Sequence, residues 1–81
     1  MKNKELALAF GAALRTTRQQ KGLSQDAMAE KANLDRTYPS LLERGLRSPT
    51  LYMVLTLSSA LDRPPHVLIE TTLEFLKAGA R

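Results

Sequence analysis

The chain has 81 residues, a formal net charge of +4 and no cysteine. Its length allows one domain with a small core, and the missing thiols exclude disulfides and thiolate metal sites. It contains no run of about 18 apolar residues, so no membrane span is predicted. The basic start is interrupted early by Glu5, so we expect no secretory signal and a cytoplasmic location.

The first predicted helix covers residues 4–21. Apolar residues recur there at the spacing of one helical face, at Leu6, Phe10, Ala13 and Leu14. Gly11 lies inside this helix and costs about 1 kcal/mol relative to alanine, which a face of small residues tolerates. Gly22 follows as the predicted helix stop, because glycine adopts the left-handed conformation that closes a helix.

Residues 24–45 predict two short, crossed helices joined by a tight turn. Ser24 is a good N-cap for the first of them, because its hydroxyl can accept a hydrogen bond from a free backbone N–H. The narrow apolar face of that helix consists of Met28, Ala29 and Ala32. Asn33 can close it in the left-handed conformation. Asp35 is a candidate N-cap for the second helix, and Gly45 is its predicted stop.

Two more helices are predicted after a loop. Thr50 is the N-cap of the fourth helix, which is expected to bury Leu51, Val54, Leu55, Ser58 and Leu61. Pro64 and Pro65 separate it from a fifth helix at residues 65–78, which begins without a side-chain cap. No strand-like alternation is present, so the sequence predicts an all-α fold of five short helices in one domain, residues 1–81.

Four short sequence fragments have the order and spacing of a known family. They are Arg18 with Lys21-Gly22-Leu23-Ser24-Gln25, then Ala29-Glu30-Lys31-Ala32, then Leu42-Glu43-Arg44-Gly45, and finally Arg47-Ser48-Pro49-Thr50-Leu51. Together they resemble the phage repressor and Cro family, also called the XRE or lambda-repressor-like helix-turn-helix family. The short single-domain layout also resembles the dimeric controller proteins of restriction–modification systems. The resemblance implies a DNA-binding domain with a central helix-turn-helix.

The resemblance implies that the second helix of this motif reads base edges in the major groove. If Leu42 points to the core, the outer side carries Arg36, Thr37, Ser40, Leu41 and Arg44. Arg36 can pair bidentately with guanine, and Thr37 can hydrogen-bond to a base and touch a thymine methyl group. Leu41 either meets a thymine methyl group or is an ordinary surface residue.

Other residues of the motif are better placed for phosphates than for bases, namely Tyr38, Arg44 and Arg47. By resemblance, Gln25 contacts the DNA backbone or a base edge; the alternative is a good helix former in an exposed first turn. Residues 15–47 carry seven basic side chains against four acidic ones, so most of the positive charge surrounds the motif. This charge permits a polyanionic partner without demanding one, and the resemblance implies that the partner is double-stranded DNA.

Arg18 and Glu43 match positions that form a buried ion pair in the family, although two separate surface charges remain an alternative. Pro39 departs from the family, which commonly has isoleucine there. If Asp35 is the N-cap, Pro39 is the fourth helical residue and removes the first intrahelical hydrogen bond. Alternatively, the helix begins nearer Pro39 and residues 35–38 form a loose or 3₁₀ turn, in which case Arg36 and Thr37 precede the helix and need not point where its first residues do. Either way, we expect a distorted N-terminus on a helix that still docks on DNA.

The fifth helix has more apolar surface than one small core needs. One stripe of it consists of Ile69, Leu73 and Leu76. This stripe predicts a two-fold homodimer, which would match a palindromic DNA site, while simple core packing is the alternative.

The sequence therefore predicts a sequence-specific, double-stranded DNA-binding transcriptional regulator that binds a palindromic operator as a homodimer. No catalytic constellation, metal-ligand cluster or glycine-rich phosphate loop is present, so we expect no enzyme activity, cofactor, metal or small-molecule ligand. A protein-interaction module or an antitoxin component that retains the fold is one alternative. A nonspecific nucleic-acid binder is another, although the chain has few aromatic residues for stacking on bases.

Overall fold

Five α-helices make up the computed structural model, which describes residues 1–79; the last two residues of the predicted domain lie outside the described residues. The helices are α1 (Asn3–Gln20), α2 (Gln25–Ala32), α3 (Tyr38–Glu43), α4 (Leu51–Ala60) and α5 (Pro65–Lys77). No strand occurs between residues 1 and 79, so the all-α prediction is confirmed. None of these helices combines the length and the apolar character needed to cross a membrane.

The core lies between α1 and the helices that surround it. α1 packs most extensively against α5 and then against α3, while α2 contacts both α3 and α4. The buried side chains of this core are Phe10, Ala13, Leu14, Met28, Ala32, Leu42, Leu57, Leu61 and Leu68. Each fully buried leucine contributes about 1.5–3 kcal/mol to folding through the hydrophobic effect. The apolar spacing that predicted α1 therefore corresponds to a real packing face.

The predicted ends of α2 and α4 are confirmed by their hydrogen bonds. The Ser24 hydroxyl accepts from the Ala27 N–H at 3.0 Å, and the Thr50 hydroxyl accepts from the Met53 N–H at 3.1 Å. Asn33 closes α2 in the left-handed conformation, with φ of 56°. These caps satisfy backbone groups that would otherwise lack partners at the helix ends, and they fix where the turns begin.

α3 begins at Tyr38, so the prediction that Asp35 is its N-cap is wrong, and the alternative of a later start is the correct one. The Tyr38 N–H donates to the Asp35 carbonyl oxygen at 3.1 Å, which closes a turn over residues 35–38. Pro39 is then the second helical residue, where a missing N–H costs little because no intrahelical acceptor is available. Its ring is fully buried, so it adds to the core and does not break the helix.

The buried face of α4 differs from the predicted one. Leu51 and Leu55 were expected in the core, but 71% and 47% of their surfaces are exposed. Leu57, which was not predicted, is fully buried together with Ser58. α4 is apolar on most sides, so hydrophobic spacing alone does not indicate which side faces α2 and α5. In the structure, α4 therefore carries two exposed leucines, Leu51 and Leu55.

Candidate nucleic-acid interface

α3 has a buried side and an outward side. Pro39 and Leu42 are buried against the core. Because successive residues turn by about 100° around a helix axis, the opposite side carries the residues proposed to face DNA. Of these, Thr37 and Arg44 are exposed, while Ser40 and Leu41 are half-buried. The structure thus brings four of the predicted contact residues onto one outward surface.

Arg36 lies in the turn before α3 and is exposed, next to two residues that hold the turn together. The Asp35 carboxylate accepts two hydrogen bonds from Thr37, one from the backbone N–H at 2.9 Å and one from the hydroxyl at 2.6 Å. These bonds, the hydroxyl bond first, lower the pKa of Asp35 below its ordinary value, and the neighbouring Arg36 charge adds to the effect. The turn therefore presents Arg36 and Thr37 at a defined position.

Arg47 lies exposed in the loop between α3 and α4. The Ser48 hydroxyl donates to the Asn3 side-chain oxygen at 2.8 Å, which ties this loop to the start of α1. Arg44 bends back on its own helix, where its Nε donates to the Ser40 carbonyl oxygen at 3.3 Å. Tyr38 differs from these residues because its side chain is half-buried and packs against the core.

Arg18 and Glu43 lie together behind this surface. Arg18 Nε donates to Glu43 Oε2 at 2.6 Å, and a second guanidinium nitrogen donates to Oε1 at 3.0 Å. The Gln25 amide also donates to Oε1 at 3.0 Å. A third Arg18 nitrogen donates to the Leu23 carbonyl oxygen at 2.8 Å, so the cation has several partners. Only 3% of the Glu43 side chain and 12% of the Arg18 side chain are exposed.

This network joins three parts of the motif. Arg18 belongs to α1, Gln25 opens α2 and Glu43 ends α3. The sequence predicted a DNA contact for Gln25 and, independently, an ion pair between Arg18 and Glu43. Nothing in the local pattern indicated that the Gln25 amide would also bond to the Glu43 carboxylate. A bidentate, nearly buried pair of this kind fixes the orientation of both side chains. The structure therefore links the angle of α3 to α1 and α2.

The exposed arginines of the motif are free to meet a polyanion. Within residues 1–79, the Arg18–Glu43 pair is the only salt bridge, so Arg36, Arg44 and Arg47 have no ionic partner there. Across the same residues, no cluster of three or more potential metal ligands occurs. Three unpaired cations on and beside an exposed helix form a surface suited to phosphates and to guanine edges.

A model of the family described as Helix-turn-helix matches residues 14–68. The chain belongs to this helix-turn-helix family. The match includes the whole motif and the buried Arg18–Glu43 pair, and it ends within α5. Among curated proteins, no sequence matches the chain significantly.

Solved structures give the same family assignment. The restriction–modification controller protein C.AhdI from Aeromonas hydrophila is 44% identical, with 76% of this chain and 94% of that chain covered and a TM-score of 0.74. The clp gene regulator ClgR from Corynebacterium glutamicum is 27% identical, with 90% and 78% covered and a TM-score of 0.86. The controller protein C.Esp1396I, crystallised as a tetramer with its natural 35 base-pair operator, is 29% identical, with 89% and 95% covered and a TM-score of 0.82.

These similarities confirm two predictions made from the sequence. The helix-turn-helix fold is the one expected from the four ordered fragments, and the likeness to restriction–modification controller proteins is found in the solved structures. The individual contact residues stay predictions, because the similarities concern the fold and the family.

Proposed function

We propose that this protein is a transcriptional regulator that binds double-stranded DNA in a sequence-specific manner. The outward surface around α3, with Arg36 in the preceding turn and Arg44 at the helix end both exposed and without ionic partners in residues 1–79, is the observation that carries this proposal. Membership of the helix-turn-helix family and the similarity to an operator-bound controller protein support it. We also propose that the protein is not an enzyme and that it is located in the cytoplasm.

The contact residues divide by what they can recognise. Arg36 and Thr37 lie where the start of a recognition helix meets base edges, and Arg36 is proposed to pair with guanine. Leu41 is proposed to contact a thymine methyl group beside them, with Ser40 hydrogen-bonding nearby. Arg44 and Arg47 are proposed to contact phosphates, which adds affinity without sequence information.

Gln25 and Tyr38 have more limited proposed roles. One N–H of the Gln25 amide is used by Glu43, which leaves its other N–H and the adjacent backbone N–H groups to donate to a phosphate. The Tyr38 ring packs against the core, so only its hydroxyl group is available for a phosphate. Both residues therefore help to hold α3 in addition to their proposed contacts with DNA.

A homodimer is part of the proposal. On α5, 44% of Ile69 and 54% of Leu73 are exposed, whereas Leu76 is half-buried. A second copy of the chain would cover this stripe. Two linked recognition helices would match half-sites about 34–36 Å apart and would roughly double the contacts of one small module.

Selection from a pool of random duplexes tests the proposed function. The protein is expected to enrich a two-fold-symmetric site, because a dimer presents two copies of α3. Arg36→Ala is expected to relax the preference at one base position per half-site by about 1–3 kcal/mol. Uniform recovery of all duplexes by the folded wild-type protein would instead favour a protein-interaction or nonspecific binding role.

A further inference from the structure

Asp35 and Thr37 form a closed hydrogen-bonded unit at the start of the proposed recognition surface. A single carboxylate oxygen of Asp35 accepts both the Thr37 backbone N–H at 2.9 Å and the Thr37 hydroxyl at 2.6 Å. Both residues are exposed on the side where DNA is proposed to bind. The hydroxyl rotor, which is normally free to turn, therefore has a fixed direction before any partner arrives.

This fixed direction decides what the hydroxyl can recognise. A threonine hydroxyl has one proton to donate and two lone pairs that accept. Because its proton is given to Asp35, Thr37 can only accept a hydrogen bond from a base. In the major groove, adenine N6 and cytosine N4 are the donors, whereas guanine O6 and N7 and thymine O4 are acceptors.

We propose that Asp35 is a specificity-determining residue, which holds the proton of the Thr37 hydroxyl and so makes Thr37 select adenine or cytosine over guanine or thymine on the strand that it faces. This inference rests on the proposed function, because it concerns the same DNA surface. Asp35 contacts no base itself and acts through Thr37. Its negative charge also disfavours a nearby phosphate, which keeps Thr37 directed at bases.

Three variants separate the parts of this unit. Thr37→Val removes the hydroxyl but retains the shape of the side chain and the backbone N–H that donates to Asp35. Asp35→Ala releases the hydroxyl proton, so that Thr37 can donate as well as accept. Asp35→Asn retains a carbonyl oxygen that accepts both hydrogen bonds, and it serves as the matched control.

The experiment combines random-duplex selection with titration of duplexes that differ at one position. The position that changes in Thr37→Val identifies where Thr37 reads. There, the wild-type protein and Asp35→Asn are expected to prefer adenine or cytosine by about three- to tenfold, the effect of one hydrogen bond. Asp35→Ala is expected to lose this preference and accept all four bases, while the guanine selected through Arg36 is retained.

The outcomes distinguish this inference from the function on which it rests. If the wild-type protein enriches no site, the proposed function fails. If it enriches a site but Thr37→Val changes no position, or the changed position prefers guanine or thymine, only the inference is overturned. It is also overturned if Asp35→Ala keeps the wild-type preference at that position. Loss of every preference in Asp35→Ala, including that of Arg36, would assign Asp35 a purely structural role in the turn and overturn the inference as well.

Discussion

Gly11 of α1 lies directly against the backbone of Glu43 at the end of α3. A β-carbon at Gly11 would lie 2.6 Å from the Glu43 carbonyl oxygen and closer still to that of Leu42. Carbon and oxygen atoms do not approach so closely without a shift of the backbone, because packed interiors leave no room for it. The missing side chain therefore allows α3 to pack on α1 at its present distance.

Gly11→Ala is expected to destabilise the protein by about 1–3 kcal/mol, the usual cost of overpacking a core. Alanine favours a helix by about 1 kcal/mol over glycine, so without the steric conflict this change would stabilise the chain. Chemical denaturation measures the difference. Ala12→Gly, at the neighbouring half-buried position, is the control for helix propensity alone. A Gly11→Ala protein as stable as the wild type would show that α3 can move away at no cost.

Gly11 illustrates which parts of the fold the sequence could predict. Its position inside α1 followed from apolar periodicity, and the caps Ser24, Asn33 and Thr50 followed from local backbone chemistry. The reason for a glycine at this point did not follow, because the facing carbonyl groups belong to a helix about 30 residues away in the sequence. Local patterns predict elements and their ends, whereas close approach between elements depends on tertiary packing.

The same distinction applies to the candidate site. The outward residues of α3 were found from the spacing around Leu42, which is fully buried. The late start of α3 was one of two alternatives, because proline at position 39 is compatible with either. The Asp35–Thr37 unit was missed, although an aspartate two residues before a threonine is a recognisable local signal for a side-chain turn. The Gln25–Glu43 bond had no such signal.

The Arg18–Glu43 pair gives a second stability prediction. Arg18→Met alone is expected to cost about 3–5 kcal/mol, because it leaves the nearly buried Glu43 carboxylate without its cation. Glu43→Leu alone leaves the Arg18 charge unpaired in the same way. The double variant should lose less than the sum of the two single losses, and urea denaturation of all four proteins measures this coupling. Additive losses would mean that the pair contributes no mutual interaction.

The pKa of Asp35 provides a third prediction. Hydrogen bonds from Thr37 favour the ionised carboxylate, so the pKa is expected below its ordinary value of 3.8, and carbon-detected NMR titration measures it. Thr37→Val should return the pKa toward 3.8 by more than Arg36→Ala does, because the hydroxyl bond is the largest cause. Equal shifts in the two variants would contradict this order.

The sign of the accompanying pH dependence follows from the direction of the shift. A carboxyl group whose pKa is lower in the folded state stabilises the fold above its unfolded value, and this stabilisation is lost as the pH falls through the folded-state pKa. The turn at Asp35 should therefore loosen only in acid, below pH 3.8. The amide signal of Thr37 is expected to report this loosening, because its N–H donates to the titrating Asp35 carboxylate, whereas the Tyr38 N–H donates to the Asp35 backbone carbonyl oxygen.

The dimer is tested by a charge on the exposed stripe of α5. Leu73→Glu is expected to give a folded monomer with weakened operator binding, because a carboxylate would be buried without a partner in the interface. Leu46→Glu is the matched control for the mass alone, since 60% of Leu46 is exposed in the loop after α3, outside the proposed interface but beside the proposed phosphate contact Arg47. Sedimentation velocity measures the mass of both variants. A Leu73→Glu protein with the wild-type mass would rule out this stripe as the interface.

Arg47 distinguishes a phosphate contact from a base contact. Arg47→Ala is expected to weaken binding to all duplexes alike and to reduce the magnitude of the salt slope by about 1 for each site contacted, because one fewer counterion is released. Lys77→Ala removes the same charge from the exposed end of α5, away from the motif, and should leave the slope nearly unchanged. Fluorescence anisotropy over a range of salt concentrations measures both variants. Equal slope changes would mean that the overall charge of the protein, and not a contact by Arg47, determines its attraction to DNA.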